Sequence, residues 1–325
     1  MQVLVPAHII EQVTVRLQAI TPQLETVPLD SRHPPPSNQA EVLLRFFPNS
    51  AYPGRVFDAA VLRRVVAASP RLKWIHNGMT GMDGVLYPRL IASDIVVTNG
   101  SGAHRHAIAE SALGLMLAWA KRFGEHLDNQ RQRQWQSLPH GSLHGATALV
   151  IGLGSVGQEI ARRCNAFGMR VLGIKRRPAG ASFPGVALVA GPIQLHKLLL
   201  QADYLIIAAA LTDETRGMIG ASELRLMKPA SYLVNIARGE IVDENALIQA
   251  LSEGWIAGAG LDVFAHEPLP PSSPFWTMPG VFLTPHNAAW SDNVEDEALG
   301  IFYENFRRYV NNRPLLNVVD KAAGY

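Results

Sequence analysis

The chain predicts an α/β protein built on doubly wound parallel sheets, and three observations carry that expectation. Apolar runs such as 202–210 (ADYLIIAAA) and 256–263 are almost uninterrupted, as strands buried on both faces must be. They alternate with segments of helical apolar spacing such as 243–253, the order that gives a parallel sheet with helices on its faces. Between one such strand and one such helix stands a glycine triplet, Gly152, Gly154 and Gly157. At 325 residues the chain is too long for one small core and suits two domains.

Composition narrows the function classes. Hydrophobic residues at 48% and charged residues at 17% describe a folded globular chain and exclude a disordered one. A formal charge of only +2 gives no case for a nucleic acid or an anionic membrane as partner. The opening MQVLVPAHIIEQV lacks the basic and long apolar regions of a secretory signal. The longest apolar stretch, 107–120, contains Glu110 and stops at Lys121 and Arg122, so it predicts a buried helix and no membrane span. One cysteine, Cys164, permits no intrachain disulfide and suits the reducing cytoplasm. Its plain role is that of a small buried apolar residue.

In chain order, 41–47 reads as a strand, 57–68 as a helix, and 74–76 and 95–98 as strands, which makes an N-terminal α/β unit. Segment 30–38, with Pro34, Pro35 and Pro36, predicts an exposed connection. The glycines in WIHNGMTGMD, 74–83, could expose backbone N–H groups to a carboxylate, or could simply form a strand-to-helix loop. After 107–120 a polar segment ends at Trp135; it suits a helix extension or an arm packed on a second subunit. His104 and His106 have no further clustered ligands beside them, so no metal is expected.

The unit at 146–177, ATALVIGLGSVGQEIARRCNAFGMRVLGIKRR, reads as strand 147–151, glycine turn, helix 155–167 ended by Gly168, and strand 169–174. The first glycine permits the tight turn, the second lets a pyrophosphate approach the backbone, and the third lets helix and strand pack closely. The phosphates are expected over Ser155 and Val156, where the helix start favours negative charge. Where a carboxylate would hold the adenine ribose, this chain has Lys175, Arg176 and Arg177. Guanidinium forks suit a 2′-phosphate, so NADP(H) is preferred and NAD(H) remains possible; a solvated basic turn is the plainer alternative.

The alternation continues with strand 202–210, helix 222–226, strand 231–236, helix 243–253, strand 256–263 and strand 281–283. Ligands of such sheets lie beyond the carboxyl ends of the strands. There the chain places Arg238, then Asp262 and Glu267, then His286. Arg238 could bind a carboxylate and polarise a carbonyl, and His286 could give or take the proton that accompanies a hydride. Glu267 beside it would set which ring nitrogen is presented.

Taken in order, GLGSVG, NIARGEIVDENAL, GLDVFAHEPLP and TPHNAAW resemble the D-isomer-specific 2-hydroxyacid dehydrogenase family, strongly from Gly102 to Trp290 and more loosely before it. The resemblance implies two Rossmann-like domains, a cofactor domain at 104–290 inserted in a discontinuous substrate domain at 1–103 and 291–325, with a dimerisation arm at about 104–140 and hence a homodimer. It implies a catalytic set of Arg238, Glu267 and His286. It implies Thr215, Ala237, Asp262 and His286 along the nucleotide, with Asp262 at the nicotinamide amide, and it implies Thr80 and Gly81 at the substrate carboxylate. Trp135 resembles an aromatic that reaches a neighbouring subunit's site, and Trp290 one that shapes the local pocket.

Two positions depart from the family pattern. Ala210 replaces a common proline, and Asn77 stands where phosphoglycerate-oxidising members tend to carry arginine, which disfavours a phosphorylated substrate. The basic 175–177 turn resembles NADPH-using glyoxylate and hydroxypyruvate reductases, so a small 2-keto acid is the expected substrate. Alternatives are an NAD-dependent hydroxyacid dehydrogenase and a nucleotide-sensing binding protein of the same fold.

Overall fold

The computed structural model describes residues 1–29, 39–46, 59–82 and 84–324. The connection expected at 30–38 and positions 47, 57 and 58 of two predicted elements lie outside them. Two compact units emerge, Met1–His104 with Ser291–Tyr325, and Arg105–Trp290.

The first unit carries strands β1 (Gln2–Pro6), β2 (Glu25–Leu29), β3 (Ala40–Arg45), β4 (Trp74–Asn77) and β5 (Val96–Asn99) in the order β2-β1-β3-β4-β5. Its described strand pairs are parallel, a flavodoxin-like arrangement. Helices α1 (Ile10–Gln18), α2 (Ala59–Ala68) and α3 (Pro88–Ile91) connect them, and a C-terminal helix, Val294–Val310, belongs to the same unit. That helix buries Phe302 and Phe306 completely, with Phe302 stacked 5.6 Å from Trp74. Each phenyl ring contributes roughly 1.5–3 kcal/mol of burial.

The sequence reading did not place β1, α1 or β2. β1 is five residues stopped by Pro6, α1 buries only Val13 and Leu17, and β2 contains Pro28. The proline is tolerated because β2 is an edge strand, where a missing N–H leaves no ladder bond unmade.

His76 in β4 is fully buried. Its Nδ1 lies 2.8 Å from Thr98 Oγ1, which also accepts from Trp74 Nε1 at 2.9 Å.

The second unit opens with helices α4 (Arg105–Ala120) and α5 (Phe123–Arg131). Its strands are β6 (Thr147–Ile151), β7 (Arg170–Ile174), β8 (Leu188–Ala190), β9 (Tyr204–Ile207), β10 (Tyr232–Asn235), β11 (Gly258–Leu261) and β12 (Val281–Leu283). Between them run α6 (Ser155–Ala166), α7 (Leu195–Leu199), α8 (Ala221–Leu226) and α9 (Glu244–Ser252). The order is β12-β11-β10-β9-β6-β7-β8, so the direction of winding reverses between β6 and β9, the switch point at which such sheets bind ligands.

The elements β8 and α7 were not anticipated; at three and five residues they are too short for a periodicity to register. Strand 202–210 shrinks to β9 because residues 208–210 turn away as a loop. Among the described residues no helix is long and apolar enough to cross a membrane.

One register row runs across the sheet. Ile174 pairs with Ile151, Ile151 with Ile207, Ile207 with Asn235, Asn235 with Leu261, and Leu261 with Leu283. Parallel pairing therefore puts the glycine turn, the basic turn, Arg238, Asp262 and His286 along one edge, each within three residues of that row. β6 and β12 are four strand spacings apart, about 19 Å, a span along which an extended dinucleotide can lie.

Burial pushes the His76 imidazole down to about 3 from 6.5. Between these values the unfolded chain binds a proton that the folded chain does not, so stability falls as pH drops through this window, by up to roughly 1.4 kcal/mol per pH unit. Thermal melts of wild type and His76→Gln are expected to draw together as pH is lowered from about 7 toward about 4. A gap that stays constant would contradict the linkage.

Candidate active site

The glycine turn is built by exclusion. Gly152 has φ +92, and a Cβ there would lie 2.6 Å from Ala209 N and Cα. A Cβ on Gly157 would run into the Gly152 carbonyl. Gly154 differs, since a Cβ there would meet nothing within 4 Å. Its bare backbone faces open space, as a pyrophosphate approaching the turn requires. The first bond of α6 is Gln158 N–H to Gly154 O at 3.0 Å, so the amides of Val156 and Gly157 precede the helical ladder, and Ser155 begins the helix beside them. These residues fit a dinucleotide.

At the end of β7, Arg176 and Arg177 are exposed, whereas Lys175 is partly buried. Lys175 Nζ lies 3.4 Å from Leu153 O and 5.6 Å from the Phe183 ring. The lysine therefore braces the glycine turn, and the two arginines extend from it. Thr215 closes the loop after β9. Its hydroxyl donates to Ala210 O at 2.7 Å and accepts from Thr212 N–H at 2.8 Å, so it shapes this wall from within.

Arg238 is placed by residues whose sequence neighbourhood does not announce the role. Buried Asn235 ends β10, accepts from Ala237 N–H at 3.1 Å and donates to Arg238 O at 2.9 Å. Any Cβ at Gly239 would strike the Phe264 and Ala265 backbone, so glycine lets the loop after β10 touch the loop after β11. Glu244 Oε1 accepts from Ala265 N–H at 2.7 Å and holds that second loop. Arg238 itself is partly buried, with Nη1 donating to Ala237 O at 2.6 Å.

His286 sits at φ +50, a left-handed conformation that costs a non-glycine residue about 1–2 kcal/mol. Asp262 offsets that cost. Only 2% exposed, its Oδ1 accepts from Thr284 Oγ1 at 2.6 Å, Asn287 N–H at 3.0 Å and Ala288 N–H at 3.1 Å, and its Oδ2 accepts from Ala288 N–H at 3.1 Å. The His286 N–H reaches Asp262 O at 2.7 Å. Asp262, expected at the nicotinamide amide, thus also organises the turn that presents the histidine.

The imidazole Nδ1 lies 2.6 Å from Glu267 Oε2, and Glu267 Oε1 accepts from Phe264 N–H at 2.9 Å. A carboxylate can only accept, so Nδ1 carries the proton of that bond and Nε2 is left to exchange one with a ligand. Both side chains keep solvent access, 43% and 33%. Trp290 follows this turn, 45% exposed, with its backbone N–H donating to Asn287 O at 2.9 Å.

Thr80 and Gly81 belong to the first unit. The loop is irregular, and the next helix, α3, begins only at Pro88. Two buried asparagines at strand ends hold its shape. Asn77 Nδ2 donates to Met79 O and Gly81 O, each at 2.9 Å, and Asn99 Nδ2 donates to Thr80 O at 3.0 Å. With three carbonyls consumed, the N–H groups are what the loop can offer an anion. Trp135 lies beyond α5 and is fully exposed. Of the two histidines considered for metal, His104 is buried and His106 Nδ1 lies 3.1 Å from Glu159. Among the described residues no group of three His, Cys, Asp or Glu converges.

Residues 113–288 match the family model for the NAD-binding domain of D-isomer-specific 2-hydroxyacid dehydrogenases. The chain belongs to that family. A glyoxylate reductase of Thermococcus gammatolerans is 40% identical over 278 residues, covering 82% of this chain and 79% of the relative. A family member from Xanthobacter autotrophicus, solved with NADPH and MES, superposes with a TM-score of 0.82 at 30% identity, covering 100% of this chain and 99% of that one. The NADPH-dependent glyoxylate/hydroxypyruvate reductase of Sinorhizobium meliloti, solved with NADP and sulfate, does so at 0.82 and 27%, with the same coverage.

As a D-2-hydroxyacid dehydrogenase, the protein is an oxidoreductase that acts on CH–OH donors and transfers a hydride between a nicotinamide nucleotide and a small 2-keto or 2-hydroxy acid. Sequence motifs pointed to Arg238, Glu267 and His286. They gave no role to Asn235, whose partners Ala237 and Arg238 are its near neighbours, or to Glu244 and Thr284, whose partners lie in other segments. The one available signal was a polar residue closing or following an otherwise apolar strand.

Proposed function

We propose that this dehydrogenase works as an NADPH-preferring reductase of glyoxylate or hydroxypyruvate. The observation that carries the reading is the His286–Glu267 contact of 2.6 Å, held on the sheet edge that begins at the glycine turn. The names of the relatives support the substrate, and the nucleotides bound in the structural neighbours support the cofactor.

In this mechanism Gly154, Ser155 and Val156 hold the pyrophosphate, and Arg176 and Arg177 take the 2′-phosphate. Thr215, Ala237 and Asp262 border the nucleotide. The bound cofactor supplies the hydride. Arg238 takes the substrate carboxylate and polarises the carbonyl; in the first unit the Thr80 and Gly81 amides are donors suited to a carboxylate. His286 Nε2 delivers a proton to the carbonyl oxygen as the carbon gains the hydride, while Glu267 holds Nδ1 and keeps the ring in place. Trp290 shapes the substrate pocket. The assembled acid–carboxylate pair favours this reading over a nucleotide sensor.

The exposed apolar residues Phe123, Leu127 and Trp135 support a homodimer formed through the arm, with Trp135 meeting the partner. Buried Cys164, its thiol pushed up to about 12 by burial, is chemically quiet and in keeping with a cytoplasmic setting.

Nicotinamide absorbance with glyoxylate or hydroxypyruvate is expected to fall rapidly with NADPH and more slowly with NADH; no oxidation with any small 2-keto acid would reject the reading. His286→Ala should lower kcat about 10²–10⁴-fold with NADPH affinity nearly intact. Replacing Arg176 and Arg177 together by serine should raise the KM for NADPH about ten- to a hundredfold and scarcely alter that for NADH; equal changes in both would remove the 2′-phosphate assignment. Sedimentation should give a dimer mass, shifted to monomer by Phe123→Asp with Leu127→Asp; an unshifted dimer would place the interface elsewhere.

A further inference from the structure

The loop that carries Glu267 is held at one peptide unit. Two adjacent amides in it each meet a carboxylate: Phe264 N–H donates to Glu267 Oε1 at 2.9 Å, and Ala265 N–H donates to Glu244 Oε1 at 2.7 Å. The first carboxylate belongs to the loop itself, whereas the second reaches in from α9, 21 positions earlier in the chain. The same Phe264–Ala265 peptide abuts Gly239, where a Cβ would run into Phe264 C and Ala265 N. The Phe264 ring is buried and lies 6.2 Å from that of Phe275. From Ala265 to Pro268 no residue is buried, so burial does not fix the stretch on which Glu267 stands.

Glu244 is available for this task because its neighbour caps the helix. Asp243 Oδ1 accepts from Ala246 N–H at 3.1 Å, and Asp243 N–H donates to Ile219 O at 2.9 Å. With Ala246, Leu247 and Ala250 buried, α9 offers Glu244 from a fixed base. A carboxylate accepting from an N–H makes a stronger bond than a neutral acceptor does. The order of dependence runs from Glu244 to the Ala265 amide, the path of 265–267, Glu267 Oε2 and His286 Nδ1. That last contact, 2.6 Å, decides which imidazole nitrogen carries the proton.

We infer that Glu244 is a positioning residue for the acid–carboxylate pair: from α9 it fixes the Phe264–Ala265 peptide, and through it the reach of Glu267 to His286 Nδ1. The inference rests on the proposed reading of His286 as the proton donor. Glu244 bonds to Ala265 and so acts through the loop. Without its acceptor the Ala265 N–H loses its partner, the 265–268 stretch gains other conformations, and Glu267 meets Nδ1 in only some of them. The ring then also populates the tautomer with its proton on Nε2, and the fixed geometry that proton delivery needs is lost in part.

Three variants separate this role from a general effect on folding. Glu244→Ala removes the acceptor, Glu244→Gln keeps an acceptor oxygen without the charge, and Glu244→Asp keeps the charge at the helix start but shortens the reach by one methylene. With glyoxylate and NADPH, Glu244→Ala is expected to lower kcat about ten- to a hundredfold with the Kd for NADPH within about twofold, and Glu244→Gln to retain most of kcat. Proton–nitrogen correlation spectra of the histidine rings, recorded without nucleotide at alkaline pH and assigned with His286→Gln, read the tautomer directly. They should show His286 with its proton on Nδ1 in wild type and Glu244→Gln, and a mixture in Glu244→Ala. Should Glu244→Ala not fold, Glu244→Asp is read in its place. An unchanged kcat, an equal loss of NADPH affinity, no rescue by glutamine or an unchanged tautomer would overturn the inference. If wild type turned over no 2-keto acid, the parent reading would fail, and the ring spectra alone would still decide whether Glu244 places Glu267.

Discussion

The paired row Ile174, Ile151, Ile207, Asn235, Leu261 and Leu283 is the constraint from which the site in the second unit follows. Parallel strands in register must all end on the same side, and their apolar interiors leave polar side chains nowhere to go except past that row. The glycine turn, the basic turn, Arg238, Asp262 and His286 are polar or conformationally special residues collected at one edge by this geometry. Glu267, six residues beyond Leu261, returns to the same edge through its bond with His286.

Within that edge, buried amides and carboxylates do the fine placement. Asn235 sets the Arg238 loop, Asp262 sets the His286 turn, and in the first unit Asn77 and Asn99 set the Thr80 and Gly81 loop. Each stands at or directly after the end of a buried strand and satisfies several loop groups at once. A buried polar side chain is costly unless its partners are present, so these residues hold one loop conformation and resist others. Asp262 shows how far this goes. Four bonds to its carboxylate keep a histidine in a left-handed conformation that it would not otherwise favour.

The two units use the same device for different ends. In the second, carboxylates face loop N–H groups and leave an imidazole presented. In the first, asparagine NH₂ groups face loop carbonyls and leave N–H groups presented. Asn235 does both at once, accepting from Ala237 N–H and donating to Arg238 O.

Much was legible in the chain before its fold. G-x-G-x-x-G between an apolar strand and a helix could be read because glycine's missing Cβ is required by local backbone packing, and Gly152 and Gly157 indeed have no room for one. The α/β class followed from the uninterrupted apolar runs, and Arg238, Glu267 and His286 from motifs that are continuous in sequence. By itself the sequence determined the class of fold and pointed to the glycine turn and to Arg238, Glu267 and His286, through motifs whose residues lie close together along the chain. Tertiary structure alone decided which imidazole nitrogen is tied up, how Asp262 and Thr284 share the His286 turn, and that Arg45 stands against Asn77. The physical reason is that these contacts join residues 19 to 32 positions apart, and only strand pairing brings such residues within hydrogen-bond reach.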